Sequence, residues 1–374
     1  MFSAAPIFVI FKSMQSIQIY LSQYFKFVSS LISAQNDAGV VGLDLGSNVC
    51  RAVKIIPQKN TFELTGFLSI PFKDNDAKSA LSSVVKAFSQ GKTIPAFVGA
   101  VSGRGTLVRY IDMPRMSLSD LRKAFGLEVE RYFPFPKDTI YTDCHILDPE
   151  SQDRRMSVLI AAVKREMVDA RLKLLKESGI DPAVLTINSV ALANAATFFA
   201  SGLNAVGATN SALASALLEI NEANAHLMIF VNGIPKFSRD IFIGTAEMIK
   251  RISNACSLSP EAAHAALFSA DQDERVVRIA ETVVANLVAE VRLSFDYFGN
   301  EKNISVAKLF LLGEGVMVPG LEAGFARAID VPAEAWDPFS GIRIGPDVDK
   351  GRLAAEGRSA ITALGLALNE YYSA

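Results

Sequence analysis

The chain has 374 residues, and because domains usually span roughly 100 to 200 residues, this length favours two domains or one large bilobal domain. Half of the residues are apolar and 20% are charged, a composition that excludes a disordered chain and a coiled coil. The 37 basic and 39 acidic residues leave a net charge of −2, and no dense Lys/Arg block occurs, so we expect no nucleic-acid partner.

Cysteine and histidine usage gives no sign of a metal site. Three cysteines lie far apart and form no C-x-x-C pair: Cys50, Cys144 and Cys256. Neither a zinc site nor a disulfide framework is therefore indicated, and a reducing, cytoplasmic compartment fits best. Three histidines are also isolated: His145, His226 and His264. We expect structural roles for them and no metal site.

Residues 1–37 form a leader that differs from the rest of the chain. Its apolar run from Phe8 to Phe11 ends at Lys12, far short of the ~18 residues that a membrane span needs. The leader also lacks a basic segment before that run and a small-residue cleavage site, so we expect neither a transmembrane helix nor a signal peptide. Apolar residues recur at steps of three and four over residues 10–32, which predicts an amphipathic helix.

Three interpretations of this helix are open. Its aromatic rings, among them Tyr24 and Phe25, suit in-plane binding to a membrane surface or binding to a partner. The helix could equally pack on its own domain. Met14 could also be the true first residue, in which case the first thirteen residues have no role.

A candidate phosphate-binding turn follows the leader. Residues 40–48 predict a buried strand that runs into a tight turn, and a second strand follows from Arg51 to Ile56. The polar and small residues of this turn are Asp44, Gly46, Ser47 and Asn48. A glycine lets a backbone N–H face an incoming anion, and the serine and asparagine side chains can donate further hydrogen bonds. Taken alone, the pattern is equally typical of an ordinary hairpin.

The same pattern returns 175 positions later. Residues 216–225 again combine an apolar run, an acid and a small polar turn, and a strand follows over residues 226–231. The acid is Glu219, and the polar positions that match the first turn are Asn221 and Asn224. A spacing of this size predicts a duplicated half rather than a solenoid repeat. Two such hairpins facing each other across a cleft would hold the phosphates of a nucleotide from both sides.

A third element supports a nucleotide site. Residues 306–321 predict a strand, a turn that contains Gly313, Glu314 and Gly315, and the start of a helix. Helices are predicted over residues 321–329 and 359–371. The three elements occur in the order that is typical of the actin, sugar-kinase and Hsp70 superfamily, in which the third element holds the adenosine.

The segment between the first two elements carries a more specific resemblance. Residues 108–117 read VRYIDMPRMS, a helix is predicted over residues 118–132, and Phe133-Pro134-Phe135-Pro136 follows. Further matches lie at residues 158–166 and 174–182. From about residue 40 to its end, the chain resembles the PilM family, the actin-like proteins of type IV pilus assembly, which are similar to the cell-division protein FtsA.

The resemblance implies an α/β fold. We expect the actin-like ATPase fold of two duplicated RNase H-like lobes, with an inserted subdomain of the FtsA/PilM type. The expected boundaries are residues 38–214 for the first lobe, about 107–180 for its inserted subdomain, 215–374 for the second lobe and about 239–303 for an insertion in that lobe. Within the insertions, helices over 118–132 and 276–298 each carry an apolar stripe for packing.

The resemblance also implies a function. PilM-like proteins bind ATP with Mg²⁺ in the cleft between their lobes. They also bind an N-terminal cytoplasmic peptide of the inner-membrane protein PilN, in the groove between the first lobe and the extra subdomain, and so connect the membrane complex to other pilus assembly components. We therefore expect a cytoplasmic scaffold that is peripheral to the inner membrane, with residues 10–32 as a further contact with the membrane surface. The similar type II secretion protein GspL continues into a transmembrane helix; this chain ends at Ala374 without one, which favours PilM.

Several positions depart from the family pattern. Glu219 stands where aspartate is usual, Asn221 and Glu314 stand where glycine is usual, and Arg51 stands at the common lysine position, where its guanidinium fork suits a phosphate. A displacement of about 1 Å, such as one extra methylene at residue 219 produces, can lower catalysis about 10²-fold. We therefore expect ATP binding with weak or no hydrolysis. Two alternatives stay open: an active ATPase or sugar kinase, and a nucleotide-free structural component of a pilus or type II secretion machine.

Overall fold

A computed structural model describes residues 39–58, 61–73, 76–89, 94–149, 151–198 and 213–369. The predicted leader, with its amphipathic helix, and the last residues of the predicted helix 359–371 lie outside these ranges. The strands are β1 (Val40–Leu45), β2 (Val49–Gln58), β3 (Thr61–Pro71), β4 (Ala96–Val101), β5 (Thr106–Pro114), β6 (Ile140–Ile146), β7 (Arg155–Lys164), β8 (Val184–Ile187), β9 (Leu213–Ile220), β10 (Ala225–Val231), β11 (Ile234–Ile241), β12 (Ser305–Leu312), β13 (Ala333–Ala335) and β14 (Arg343–Ile344). The helices are α1 (Ala77–Phe88), α2 (Leu118–Tyr132), α3 (Arg165–Glu177), α4 (Asn188–Phe198), α5 (Thr245–Cys256), α6 (Pro260–Phe268), α7 (Glu274–Lys302), α8 (Leu321–Ala328), α9 (Lys350–Glu356) and α10 (Ile361–Asn369).

The chain divides into two compact units, each built on its own sheet. In the first unit the strand order is β14-β3-β2-β1-β4-β8, and in the second it is β11-β10-β9-β12-β13. In both, a hairpin pairs the first two strands antiparallel, and the first strand pairs in parallel with a later one. The order third-second-first-fourth-fifth is thus shared by the two sheets. The duplication that the sequence predicts is present in the topology.

The inserted subdomain is a three-stranded antiparallel sheet, ordered β5-β7-β6, with α2 on one face. Helix α2 covers the predicted residues 118–132, and Ser117 caps its first turn by accepting a hydrogen bond from the Asp120 N–H. Its buried face consists of Leu121, Phe125 and Val129, as its apolar stripe predicts. Phe133 packs into the same core, so the Phe-Pro-Phe-Pro segment is anchored to this subdomain.

The subdomain ends earlier than the predicted residue 180. Helix α3 follows β7 directly but lies against the main sheet of the first unit, where Leu175 packs at Gly99 of β4. An ion pair of 3.8 Å between Lys78 and Glu177 also joins α3 to α1. The three-stranded subdomain therefore spans about residues 106–164, because the apolar face of α3 is buried by the larger sheet.

The second unit has three helices, α5 to α7, between β11 and β12, where the first unit has α1 alone between β3 and β4 in the described residues. The predicted insertion at 239–303 covers these helices and begins within β11, which continues through Ile241. Helix α7 is longer than the predicted 276–298. Its buried stripe includes Ala280, Leu287 and Val291, which join the core of this unit as the periodicity predicts.

The end of the chain belongs with the first unit, although the sequence predicts residues 215–374 as one lobe. Residues Phe339–Leu353, and the described residues from Thr362 to Asn369, belong to the first unit. Helix α10 lies so close to β1 and α4 that a Cβ atom at Gly42 or Gly365 would collide with the backbone of these neighbours. Its Asn369 accepts a 2.9 Å hydrogen bond from Asn194 of α4, a residue 175 positions earlier. Helices α4 and α10 thus pack on each other.

The described helices include no segment that is both long and apolar enough to span a bilayer.

Candidate functional site: the two hairpin turns

The first hairpin turn joins β1 to β2 at Gly46, Ser47 and Asn48, all three of which are exposed. The sequence assigns the Gly46 N–H to an incoming anion. In the structure this N–H donates to the Val49 carbonyl oxygen at 2.9 Å, so the donor is used to close the turn. The Asn48 carbonyl oxygen accepts a 2.7 Å hydrogen bond from Phe72, which fixes the turn to the end of β3. The side chains of Ser47 and Asn48 are the other donors that the sequence predicts at the tip.

Beneath the turn, Asp44 and Arg51 form a buried ion pair. They are cross-strand partners in the β1–β2 register, and a guanidinium nitrogen of Arg51 lies 3.9 Å from a carboxylate oxygen of Asp44. The residues are only 9% and 7% exposed. The sequence predicts Arg51 as a phosphate contact, and the structure directs its guanidinium to Asp44. Burial raises the pKa of Asp44, against the opposing charges of Arg51 and Arg171.

Arg171 is a part of this site that the sequence does not reveal. It comes from α3, and both of its terminal nitrogens lie 3.5 Å from the Leu45 carbonyl oxygen, where β1 enters the turn. Burial lowers the pKa of Arg171, and the nearby charge of Asp44 opposes that effect. Neighbouring Cys50 is inert, since burial raises the pKa of its thiol to about 12. The charges of two guanidinium groups thus act on one carboxylate beneath the exposed turn.

The second hairpin repeats the acid–cation pair with different residues. Glu219 and His226 are register partners, as Asp44 and Arg51 are, and both are buried. His226 Nδ1 lies 2.6 Å from a carboxylate oxygen of Asp240, the next partner across the sheet. Burial alone would lower the pKa of His226, but the hydrogen bond to Asp240 and the charges of Asp240 and Glu219 raise it. The predicted structural role of His226 agrees with this arrangement.

The turn of the second hairpin is held by helix α5. The Asn221 N–H donates to the Asn224 carbonyl oxygen at 2.9 Å, the counterpart of the Gly46 bond in the first turn. The Asn221 and Glu222 carbonyl oxygens accept hydrogen bonds of 3.1 and 2.9 Å from Thr245 and Ala246 at the start of α5. The first backbone donors of α5, which could bind an anion, are therefore used within the protein.

Close packing against β9 explains the two glycines of the predicted adenosine turn. Gly313 adopts a φ of 84°, and a Cβ atom at Gly313 or Gly315 would collide with Ile220 of β9. Glu314 accepts a hydrogen bond from the hydroxyl of Thr245, which is fully buried. The sequence predicts these glycines as positions where a nucleotide approaches the backbone. In the structure it is β9 that makes this close approach.

Comparison with known proteins shows which family has this fold. The family model described as type IV pilus assembly protein PilM matches residues 42–371. This chain belongs to the PilM family. A solved PilM-PilN type IV pilus biogenesis complex is 24% identical, with 88% of this chain and 98% of that chain covered and a TM-score of 0.74. The ethanolamine utilization protein EutJ from Carboxydothermus hydrogenoformans is 12% identical, with 92% and 98% covered and a TM-score of 0.50.

The PilM assignment confirms the predicted family and the predicted fold. The chain has the actin-like fold with two related lobes, and the first lobe carries the subdomain of β5, β6, β7 and α2. The protein is a type IV pilus assembly protein. The residue assignments for a nucleotide stay predictions.

The residues beneath the first turn fit a phosphate group better than a magnesium ion. Magnesium is held in nucleotide sites by one or two carboxylates together with the phosphates. Asp44 is the carboxylate of this PilM turn, and it is buried against Arg51. No group of three or more His, Cys, Asp or Glu side chains is placed to hold a metal in the ranges that the structure describes. The groups around Asp44 are therefore positively charged guanidinium groups, which attract phosphate oxygens and repel a divalent cation.

Proposed function

We propose that this PilM-family chain is a nucleotide-binding scaffold of type IV pilus assembly, and that it binds the N-terminal cytoplasmic peptide of a PilN-like inner-membrane protein. The observation that carries the proposal is the family match over residues 42–371, supported by a similar solved protein that is named as a complex with PilN. Such a scaffold works in the cytoplasm at the surface of the inner membrane, in contact with further pilus assembly components.

The edge of the inserted subdomain is suited to an extended peptide. Strands β5 and β6 are the two edges of the three-stranded sheet. Side chains of β6 are engaged by neighbouring helices, because Arg165 of α3 lies 4.5 Å from the ring centre of its Tyr141 and Arg122 of α2 pairs with its Asp143 at 3.6 Å. Strand β5 is longer, with nine residues, and Arg109 at its centre is exposed. The peptide therefore adds as a strand along β5, while its apolar side chains enter the groove beside the first lobe.

For the nucleotide, the first turn is the stronger site. Ser47 and Asn48 are exposed at its tip, above the guanidinium groups of Arg51 and Arg171. The second turn offers less, since Glu219 and Glu314 bring negative charge to the residues around it. ATP binds chiefly through the first turn, and hydrolysis is weak or absent. A nucleotide-free scaffold is the second candidate, favoured by the internal packing of the predicted adenosine turn.

Hydrogen exchange of the full chain, with and without a synthetic peptide of the partner's N-terminal cytoplasmic residues, tests the scaffold. We expect slower exchange in residues 106–114 and little change in residues 140–146, because a peptide strand takes up the outward amides of β5. Protection confined to 140–146 would move the peptide to the other edge. No binding in a fluorescence anisotropy titration would contradict the partner itself.

The predicted membrane contact of the leader is tested by combining the peptide titration with liposome sedimentation. A chain that lacks residues 1–36 should bind the peptide with unchanged affinity but sediment less with anionic liposomes, since the deletion removes the predicted amphipathic helix over 10–32. Loss of peptide binding in this variant would instead make the leader part of the fold or of the groove.

A further inference from the structure

The charge beneath the first turn bears on the form in which a nucleotide binds. ATP carries several negative charges, and Mg²⁺ usually neutralises part of them while a protein carboxylate holds the metal. At this turn the carboxylate is Asp44. Its oxygen lies 3.9 Å from an Arg51 nitrogen, and its pairing is built into the cross-strand register of β1 and β2. A metal ion at Asp44 would have to displace or oppose this buried guanidinium.

Arg171 adds a second positive charge at the same place. Its two terminal nitrogens lie at equal distances of 3.5 Å from the Leu45 carbonyl oxygen, so the guanidinium plane faces the end of β1. The side chain reaches this point from α3, which the main sheet and α1 hold in place. Arginine is suited to phosphate because it stays charged and presents its donors in a fixed fork. The position is thus both charged and rigid.

We propose that Arg51 and Arg171 take the place of magnesium at the first turn, so that this chain binds ATP without a divalent cation. The inference rests on the proposed nucleotide binding at this turn. It adds that the ligand is free ATP and not the magnesium complex of ATP. Arg51 lies directly under the turn and supplies the nearer charge. Arg171 is a positioning residue, which fixes the end of β1 and leaves the pair with one positive charge in excess.

Calorimetric titration of the full chain with ATP tests the proposal, once in excess EDTA and once in excess Mg²⁺. The expected dissociation constant in EDTA is within tenfold of the value in Mg²⁺. An increase of tenfold or more in EDTA would overturn the metal-free inference and leave nucleotide binding intact. The absence of binding in both buffers would overturn the inference and the nucleotide-binding part of the proposed function together.

The variant Arg171→Met tests the role of this side chain. Loss of the positive charge of Arg171, and of its bond to the end of β1, should weaken ATP binding in EDTA about tenfold. Added Mg²⁺ should recover part of that loss, which a merely structural role would not produce. The matched control is Lys173→Met, which removes one exposed positive charge from the same helix and should change neither titration. Equal weakening of Arg171→Met in both buffers, or equal losses in the two variants, would contradict the role of Arg171. If Arg171→Met does not fold, the wild-type ratio still decides the metal-free proposal.

Discussion

The two hairpins of this protein have the same backbone plan and different chemistry. In each, an acid near the end of the first strand pairs with a cation seven residues later, and the turn closes through equivalent backbone bonds of 2.9 Å. The first hairpin uses Asp44 with Arg51, and Arg171 joins them from another helix. The second uses Glu219 with His226, and Asp240 joins them from the neighbouring strand. The first hairpin thus has more positive than negative groups, and its cations are arginines. The second has more acidic groups, and its cation is a histidine that titrates.

The comparison shows how a duplicated fold can divide a function between its halves. Backbone geometry is retained because the sheet of each unit needs the hairpin for its core. Side chains are less constrained, so the same position can hold a charge that attracts phosphate or one that repels it. The first turn keeps exposed polar residues at its tip, whereas the second is bound from below by the start of α5.

The largest expected effect comes from breaking the buried pair of the first hairpin. Arg51→Met leaves Asp44 buried with only Arg171 near it, and should lower the free energy of unfolding by about 3 kcal/mol. Arg51→Lys keeps the charge and should cost less. Urea denaturation at pH 7 measures both. Equal stability of Arg51→Met and the wild type would show that the pair contributes nothing.

A smaller effect is expected at the second turn, where backbone approaches backbone. A Cβ atom at Gly244 would collide with the carbonyl oxygens of Asn221 and Glu222, so Gly244→Ala should cost about 2 kcal/mol through overpacking. Gly46→Ala is the control in the first turn. Its Cβ would lie 3.2 Å from the Val49 carbonyl oxygen, which a small shift relieves. Similar losses in the two variants would contradict the tighter packing of the second turn.

The smallest effect is the pH dependence of the second hairpin. Because the pKa of His226 is raised above the 6.5 that is usual for histidine, the folded state holds the proton more tightly than the unfolded state. The stabilisation is therefore full below pH 6.5 and is lost as the pH rises through the folded pKa. The Asp240 side chain is 26% exposed, and screening by solvent therefore limits the size of this stabilisation.

Denaturation of the wild type and His226→Gln from pH 6 to 9 measures this effect. The stability difference between them should shrink as the pH rises. The difference between wild type and Arg51→Met should not shrink over the same range, since arginine keeps its charge and the loss of Arg51 raises the pKa of buried Asp44 further. A constant difference for His226→Gln would show that folding does not raise the pKa of His226.

The sequence by itself determined the elements whose signals are local. Apolar runs that end in polar turns predict both hairpins. Helical periodicity predicts the bounds of α2 at Leu118 and Tyr132, because one face of that helix is buried and the other is not. The repeat of an acid and a polar turn, 175 positions apart, predicts the duplication that the two sheets share. The motifs between residues 108 and 136 predict the PilM family.

Only the tertiary structure decided which distant residues meet. Arg171 reaches Leu45 across 126 positions because α3 packs on the main sheet, and no local pattern reports that choice of partner. Because α3 packs on the main sheet, the subdomain ends at about residue 164. Helix α10 belongs to the first unit, where Gly42 and Gly365 permit close packing. Periodicity shows that a face is buried. Which surface buries it depends on the shapes and charges of all the elements together.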